Sequence, residues 1–323
     1  MASTRAVPEV PLRSGNARPM PAIGMGTAKF PLVPRTTVKA VLEAVEVGYR
    51  HFDTATVYAT ERPLGEALAE AVRRRLVACW EEVFVTSKLW CTQCHPHLVL
   101  PSLRESLHGP VRLYLIHWPI SLKPGPAVFP VRRDDAVPLD LDGVWRAMEE
   151  CHRLGLAKAI GVSNFTTGHL DKLMAAATVP PAVNQVVEMN PAWQQRKLRE
   201  YCAEKGIHVA AYSPLGGQNW LGAGNAVLDS EVLAEIAMAR GKTVAQVALR
   251  WIYEQGVTPI VKSFSKQRLE ENLEVFDWGL TDDDLRKIGR IPQKKIVKAA
   301  GVVFTTEGEF MSADLADMEI VEE

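Results

Sequence analysis

Eight short apolar runs rich in β-forming residues, at 22–26, 49–53, 83–88, 113–117, 157–162, 182–187, 208–212 and 258–262, alternate with stretches of helical periodicity. Such alternation predicts parallel strands joined by crossover helices, because parallel neighbours need a long connection and a helix supplies it. The helical patterns lie at 36–47, 61–75, 97–107, 141–154, 167–176, 194–204, 244–255 and 266–275, with extra helices expected at 230–240 and 282–290. Eight units without a break in composition favour an α/β fold of the closed (β/α)8 type, a TIM barrel, over a doubly wound sheet. The opening stretch 7–24 reads as a β-hairpin turning at Ser14-Gly15-Asn16. No linker or repeat divides the chain, so 1–323 reads as one barrel domain, with its core at 8–292 and a C-terminal tail, 293–323, expected over the mouth.

With 323 residues, 47% hydrophobic and 23% charged, the chain is long enough for that barrel. A formal net charge of -1 gives no basic field for nucleic acid or an anionic membrane. No apolar run reaches the ~18 residues of a membrane helix. Five scattered cysteines and an opening without an apolar signal core point to a reduced, cytoplasmic protein. Arg5, Arg13 and Arg18 come early enough for an organellar transit peptide, but Glu9 and the immediate strand pattern argue against one. Nothing in the pattern asks for an obligate interface, and a monomer is expected.

In a barrel of parallel strands, functional residues gather at the strands' C-terminal ends. Asp53, Lys88, His117, Ser163, Asn164, Gln185, Tyr212 and Lys262 all fall at or just past such ends, and Tyr58 lies five residues beyond its strand on the same face. Singly, an aspartate there is a helix cap, a tyrosine a packing residue and a lysine a solvated charge. Together, Asp53, Tyr58, Lys88 and His117 form a proton-delivery set for carbonyl reduction. Hydride addition to a carbonyl carbon leaves alkoxide character on oxygen, and a phenol can supply the proton. An ammonium at Lys88 is expected to lower the Tyr58 pKa and stabilise its phenolate, with Asp53 holding Lys88 in place. His117 is expected to donate a hydrogen bond to the substrate oxygen.

The segments GYRHFDTATVY (48–58), VTSKLW (85–90), LYLIHWP (113–119), GVSNF (161–165), AYSPLG (211–216) and VKSFSKQRLEENL (261–273) resemble, in order, the signatures of the aldo-keto reductase superfamily, its plant members most. The resemblance implies the (β/α)8 barrel and a catalytic tetrad of Asp53, Tyr58, Lys88 and His117. It further implies that Ser163, Asn164 and Gln185 hold a nicotinamide carboxamide and that Tyr212 stacks on the ring. Gly26, Thr27, Ser213 and Leu215 then contact the cofactor, and Lys262, Ser263, Arg268, Glu271 and Asn272 its adenosine end. Lys262 and Arg268 flanking a small hydroxyl residue suit a 2′-phosphate, which makes NADPH the expected cofactor rather than NADH. A pocket for a small-molecule carbonyl substrate is expected around Trp90 and Trp118, with Phe30, Trp193 and His117. Ala28 stands where many relatives carry an aromatic residue, which suggests a substrate bulkier than a simple sugar aldehyde.

Two departures from the family pattern stand out. Only His108 to Arg112 connects the third helix to the fourth strand, which should shorten that strand's entry. An added valine in Asn184-Gln185-Val186-Val187-Glu188 should displace everything after it unless a bulge absorbs it. A chain so altered would be an impaired family member that binds NADPH as a sensor or partner subunit, the alternative to an active reductase. Gly24-Met25-Gly26 lacks the third glycine of a dinucleotide fingerprint. Cys91, Cys94, His95 and His97 are dense enough for zinc but have no second pair at zinc spacing, so no metal is expected.

Overall fold

An open sheet leaves unpaired backbone groups along both edges, and closing it into a ring removes them. The computed structural model describes residues 7–15, 17–29, 31–106, 111–127, 131, 133–216 and 224–294. It opens with an antiparallel hairpin, β1 (Glu9–Val10) and β2 (Met20–Pro21), paired Val10↔Met20. Then come β3 (Gly24–Gly26), β4 (His51–Asp53), β5 (Phe84–Leu89) and β6 (Val111–Ile116), followed by a second small hairpin of β7 (Ser121–Leu122) and β8 (Ala136–Val137). The last strands are β9 (Ala157–Ser163), β10 (Val183–Val187), β11 (His208–Tyr212) and β12 (Thr258–Val261). Strands β3, β4, β5, β6, β9, β10, β11 and β12 pair in that order, all parallel, and β12 closes on β3 through Ile260↔Gly24. This is the (β/α)8 barrel expected from the alternation.

Helices α1 (Pro34–Val47), α2 (Glu61–Arg73), α3 (Pro96–Ser106), α4 (Leu141–Arg153), α5 (Thr167–Ala176), α6 (Arg196–Lys205), α7 (Glu231–Arg240), α8 (Val244–Glu254), α9 (Lys266–Leu273) and α10 (Asp282–Ile288) form the outer layer. Their starts follow local chemistry. Thr166, Thr243 and Thr281 close capping boxes on α5, α8 and α10, and the Asp140 side chain caps α4 by accepting from Gly143 N. The buried residues of α4, Val144, Trp145, Met148 and Cys151, recur at helical spacing and pack against Ile160 and Val162 of β9.

Side chains two apart on a strand face the same way, so the barrel interior can be read along each strand. On β5, Phe84, Thr86 and Lys88 share the inner face. Lower down, Met20 from the hairpin joins Phe84, Leu113, Leu115, Ala159, Ala210 and Ile260 in one apolar plug. Gly161 is required here, since a Cβ would lie 2.5 Å from the Val183 carbonyl oxygen and 2.8 Å from Leu115. The same inner faces end, at the opposite mouth, in polar side chains.

Two expectations are corrected. Strand β6 is not shortened, because it begins at Val111 and pairs with β9 from Val111↔Ala157 onward. Parallel bonds to β9 satisfy its backbone from that point, so the loss falls on the connector; its residues 107–110 lie outside the described residues. Strand β10 carries no bulge. It pairs with β11 at five successive positions, ending Val187↔Tyr212, and the chain turns out at Glu188, with φ of +50°. The added residue is thus absorbed after the strand, where the Glu188 N–H still bonds the Tyr212 carbonyl at 3.1 Å. Gln185 keeps an inward place. Phe30, the loop residues 217–223 and the tail 295–323 lie outside the described residues.

Candidate active site

Lys88 is fully buried at the end of β5, and its ammonium has two partners. It donates to Asp53 Oδ1 at 2.5 Å and to the Thr54 carbonyl at 2.9 Å. The other carboxylate oxygen, Asp53 Oδ2, accepts from Gln185 Nε2 at 2.8 Å. The amide orientation is forced, since its oxygen would repel the carboxylate. Desolvation pulls the Lys88 pKa below the usual lysine value, and Asp53 pushes back.

Tyr58 is in a short 3-10 turn between β4 and α2, half-buried, with its hydroxyl 3.3 Å from His117 Nε2. The two rings meet edge-on at 86°, with centroids 5.4 Å apart. Burial, and then the desolvated Lys88 charge, hold the His117 imidazole well below its ordinary pKa, so it is neutral at pH 7. Its Nδ1 is buried with no hydrogen-bond partner among the described residues.

In the resting protein, burial outweighs the expected effect of Lys88 on Tyr58. Lys88 Nζ lies 5.1 Å from the Tyr58 ring centroid and aims two of its three hydrogens at Asp53 and Thr54. Burial, and then the Asp53 carboxylate, raise the Tyr58 pKa instead of lowering it. The phenol therefore keeps its proton in the resting protein.

Around this group lie the other residues singled out from the sequence. Asn164, in the left-handed region at φ +64°, donates from Nδ2 to the His117 carbonyl at 2.8 Å and to Ser163 Oγ at 3.1 Å. Ser163 Oγ donates onward to the Gln185 carbonyl at 2.8 Å, and Asn164 Oδ1 is buried without a partner among the described residues. Tyr212 ends β11 half-buried; burial, and then Tyr58, raise its pKa far above the usual phenol value. Ser213 follows at φ +54°, and the Leu215 carbonyl accepts from Asn225. Past β12, Lys262 and Arg268 are exposed, Ser263 Oγ bonds the Ser265 backbone, and Glu271 lies beside a buried Asn272 that faces the Tyr49 hydroxyl. Gly26 and Thr27 border Asp53 on the neighbouring strand.

Trp90 and Trp118 flank His117, with ring centroids at 5.2 Å and 6.5 Å. Both are almost fully buried in an apolar cluster with Ile120, Leu122 and Val131, beneath the β7–β8 hairpin. Trp193 is not part of that cluster; it sits in the turn after β10, bridged to Asn190. Cys91 and Cys94 are buried free thiols, and among the described residues no group of His, Cys, Asp or Glu is arranged to hold a metal ion.

Sequence reasoning passed over Lys29. Its Nζ sits 4.7 Å over the Phe264 ring, and its charge, after burial, helps to lower the Lys262 pKa. The two ammonium groups add to one local positive field, which favours an anion beside them. Lys29 lies three residues past β3, so the same strand-end logic would have found it.

With this geometry in view, comparison with known proteins is decisive. The aldo/keto reductase family model matches residues 22–292. The chain belongs to the aldo/keto reductase family. This aldo/keto reductase is 57% identical over 281 residues to deoxymugineic acid synthase 1-D of Triticum aestivum, covering 86% of this chain and 89% of that one. It is 51% identical over 313 residues to the 7-acetyl-epi-neemfruitin B aldo-keto reductase of Melia azedarach, covering 95% of each. Among solved structures, the aldose reductase of Schistosoma japonicum superimposes with a TM-score of 0.82 at 32% identity, over 93% of this chain and 99% of that one. A Bombyx mori aldo-keto reductase in complex with NADP gives 0.79 at 34% identity, over 91% and 96%. This aldo/keto reductase is thus an oxidoreductase of the carbonyl-reducing type, and among its described residues no helix is long and apolar enough to cross a membrane.

Proposed function

We propose that the protein is an NADPH-dependent reductase that converts an aldehyde, ketone or imine to the alcohol or amine, with Tyr58 as proton donor. The observation that carries this reading is the contact between Tyr58 OH and His117 Nε2 at 3.3 Å, above a Lys88 fixed by Asp53. A carbonyl oxygen placed between those two groups meets two donors at once. The imidazole is neutral, so one ring nitrogen carries the proton, and the Nε2–H tautomer is the one that donates toward the Tyr58 hydroxyl and a carbonyl oxygen beside it. The phenol is protonated and ready to give its hydrogen as alkoxide develops. The phenolate left behind faces the Lys88 ammonium, which limits the cost of that charge in a desolvated site.

The residues at the mouth fit a nicotinamide dinucleotide. Asn164 Oδ1 is a buried acceptor that meets no donor among the described residues, suited to a carboxamide N–H, and Ser163 and Gln185 stand beside it. Lys29 and Lys262 suit phosphate groups, with Arg268 beyond them. When bound, the cofactor supplies the hydride that adds to the carbonyl carbon. Tyr212 offers a ring face for stacking, and Ser213, Leu215, Ser263, Glu271 and Asn272 continue the seat. Trp90 and Trp118 back the substrate side of His117, which favours an apolar or aromatic carbonyl compound. The alternative of an impaired, NADPH-binding copy rested on the short connector and the added valine. Strand β6 pairs with β9 from Val111 to Ile116 and β10 pairs with β11 from Val183 to Val187, so the active reading is preferred.

The test follows loss of NADPH absorbance with 4-nitrobenzaldehyde, for the unaltered chain and for Tyr58→Phe. Turnover that disappears in Tyr58→Phe while NADPH still binds is the expected result. Tight NADPH binding without turnover by the unaltered chain would sink the reductase reading in favour of a sensor or partner subunit.

A further inference from the structure

Behind the site lie three threonine hydroxyls, each 0–1% exposed, drawn from three segments of the chain. Thr60 Oγ1 is 2.8 Å from Thr27 Oγ1 and 2.8 Å from Thr54 Oγ1, and Thr27 Oγ1 is 2.9 Å from the Asp53 carbonyl oxygen. Every close oxygen–oxygen contact needs a proton between its atoms, and each hydroxyl owns one. A carbonyl can only accept, so the Thr27 proton goes to Asp53 O. The Thr60 proton must then go to Thr27, and the Thr54 proton to Thr60. Three contacts consume three protons, and the chain Thr54→Thr60→Thr27→Asp53 O runs in one direction with nothing left over.

Thr60 gives something up for this. It is the N-cap residue of α2, a position where threonine hydroxyls ordinarily accept from the first turn, yet its side chain makes no cap hydrogen bond. Its hydroxyl instead spans both ends of the segment 55–59, which carries Tyr58. Thr54 anchors the near end, with its N–H on the Thr86 carbonyl and its own carbonyl accepting from Lys88. Thr27 ties the same point to the loop after β3, since its N–H also donates to Asp53 O at 2.9 Å. Ala59, inside the clamped segment, is held at φ +54°, a conformation that costs energy for a residue with a Cβ.

We infer that Thr60 is a positioning residue for Tyr58: through a directed hydroxyl chain to Thr54 and Thr27 it fixes the turn that sets the phenol against His117 and Lys88. This rests on the reductase reading, with Tyr58 as the donor. Thr60→Val keeps the shape and deletes the hydroxyl, whereas Thr60→Ser keeps the hydroxyl. The measurement is kcat per NADPH-binding site, with the deuterium isotope effect on kcat from NADPH labelled at the transferred position.

For Thr60→Val the expected result is an unchanged NADPH Kd and a kcat per site at least ~10-fold lower, since displacing a catalytic group by about 1 Å can cost ~100-fold. The isotope effect should rise as chemistry becomes rate-limiting, and Thr60→Ser should recover most of the rate. Thr281→Val, which removes the cap of α10, is the control for a general loss of stability and should leave kcat per site unchanged. Should Thr60→Val not fold, Thr54→Val takes its place, with a smaller loss of the same kind expected. A kcat per site equal to that of the unaltered chain, in whichever of the two variants folds, overturns the inference. So does a Thr60→Ser protein as slow as Thr60→Val. Failure of the reductase reading itself would show separately, as an unaltered chain without turnover.

Discussion

Lys88 is fully buried, and an ammonium without partners at that depth costs several kcal/mol. Asp53 and the Thr54 carbonyl offset that cost, while Gln185 occupies the remaining carboxylate oxygen. Lys88→Met should therefore do more than abolish turnover. It strands a buried carboxylate, and urea unfolding should show a loss of about 3–5 kcal/mol. Adding Asp53→Leu should restore much of it, short of the bond lost by Gln185. The sequence placed these residues at one mouth by counting strands, but it did not say where each hydrogen bond goes. Gln185 was read as a cofactor contact, yet its amide nitrogen serves Asp53, which leaves only its oxygen to face a ligand. The lysine read as depressing the Tyr58 pKa spends two of its three hydrogens on Asp53 and Thr54, and burial decides the net direction. Directions of this kind depend on rotamers and desolvation, and neither is written in spacing.

At the scale of elements, the period of the apolar residues carried most of the information. The barrel strands and outer helices fall close to their expected places, because each is an alternating or amphipathic run bounded by a cap or a turn. The β7–β8 hairpin escaped, because two residues on each side carry no period. Helix α3 is instructive in the opposite sense, since Pro101 lies inside it and did not stop it. Proline cannot donate the N–H of its turn and crowds the carbonyl before it. Pro101 is exposed, so replacing it disturbs no packing. Pro101→Ala should raise stability by about 1–3 kcal/mol, read as a higher denaturant midpoint at unchanged slope.

For the whole molecule, the two ends of the barrel divide the work. The mouth holds the reactive groups; the opposite end holds Met20, Phe84, the buried His51 and the half-buried His208. His51 Nε2 contacts Thr86 Oγ1 at 3.0 Å and His208 Nε2 contacts Thr258 Oγ1 at 2.9 Å. Desolvation lowers His51 to about 3, against a hydrogen bond with the Pro21 backbone and with help from Lys88, and lowers His208 to about 4, with His51 adding to it. Both folded pKa values lie below the unfolded one, so the unfolded chain binds more protons in acid. Stability is full above pH 6.5 and is lost as pH falls toward those values. By pH 5 the loss from His51 alone is about 2 kcal/mol. Thermal unfolding at pH 7.5 and pH 5 should show it, and His51→Gln should flatten the slope. Carboxylates do not confound this window, since those with lowered pKa values, such as Glu70 at about 2, titrate further down.

Closure of the barrel through Ile260↔Gly24 joins the last strand to the first. A nascent chain leaving the ribosome has all four residues of the proton-handling set by residue 117, but their ring has no final stave until Val261 emerges. The reactive mouth is therefore a property of the finished polypeptide, and a chain released early carries the chemistry's letters without its word.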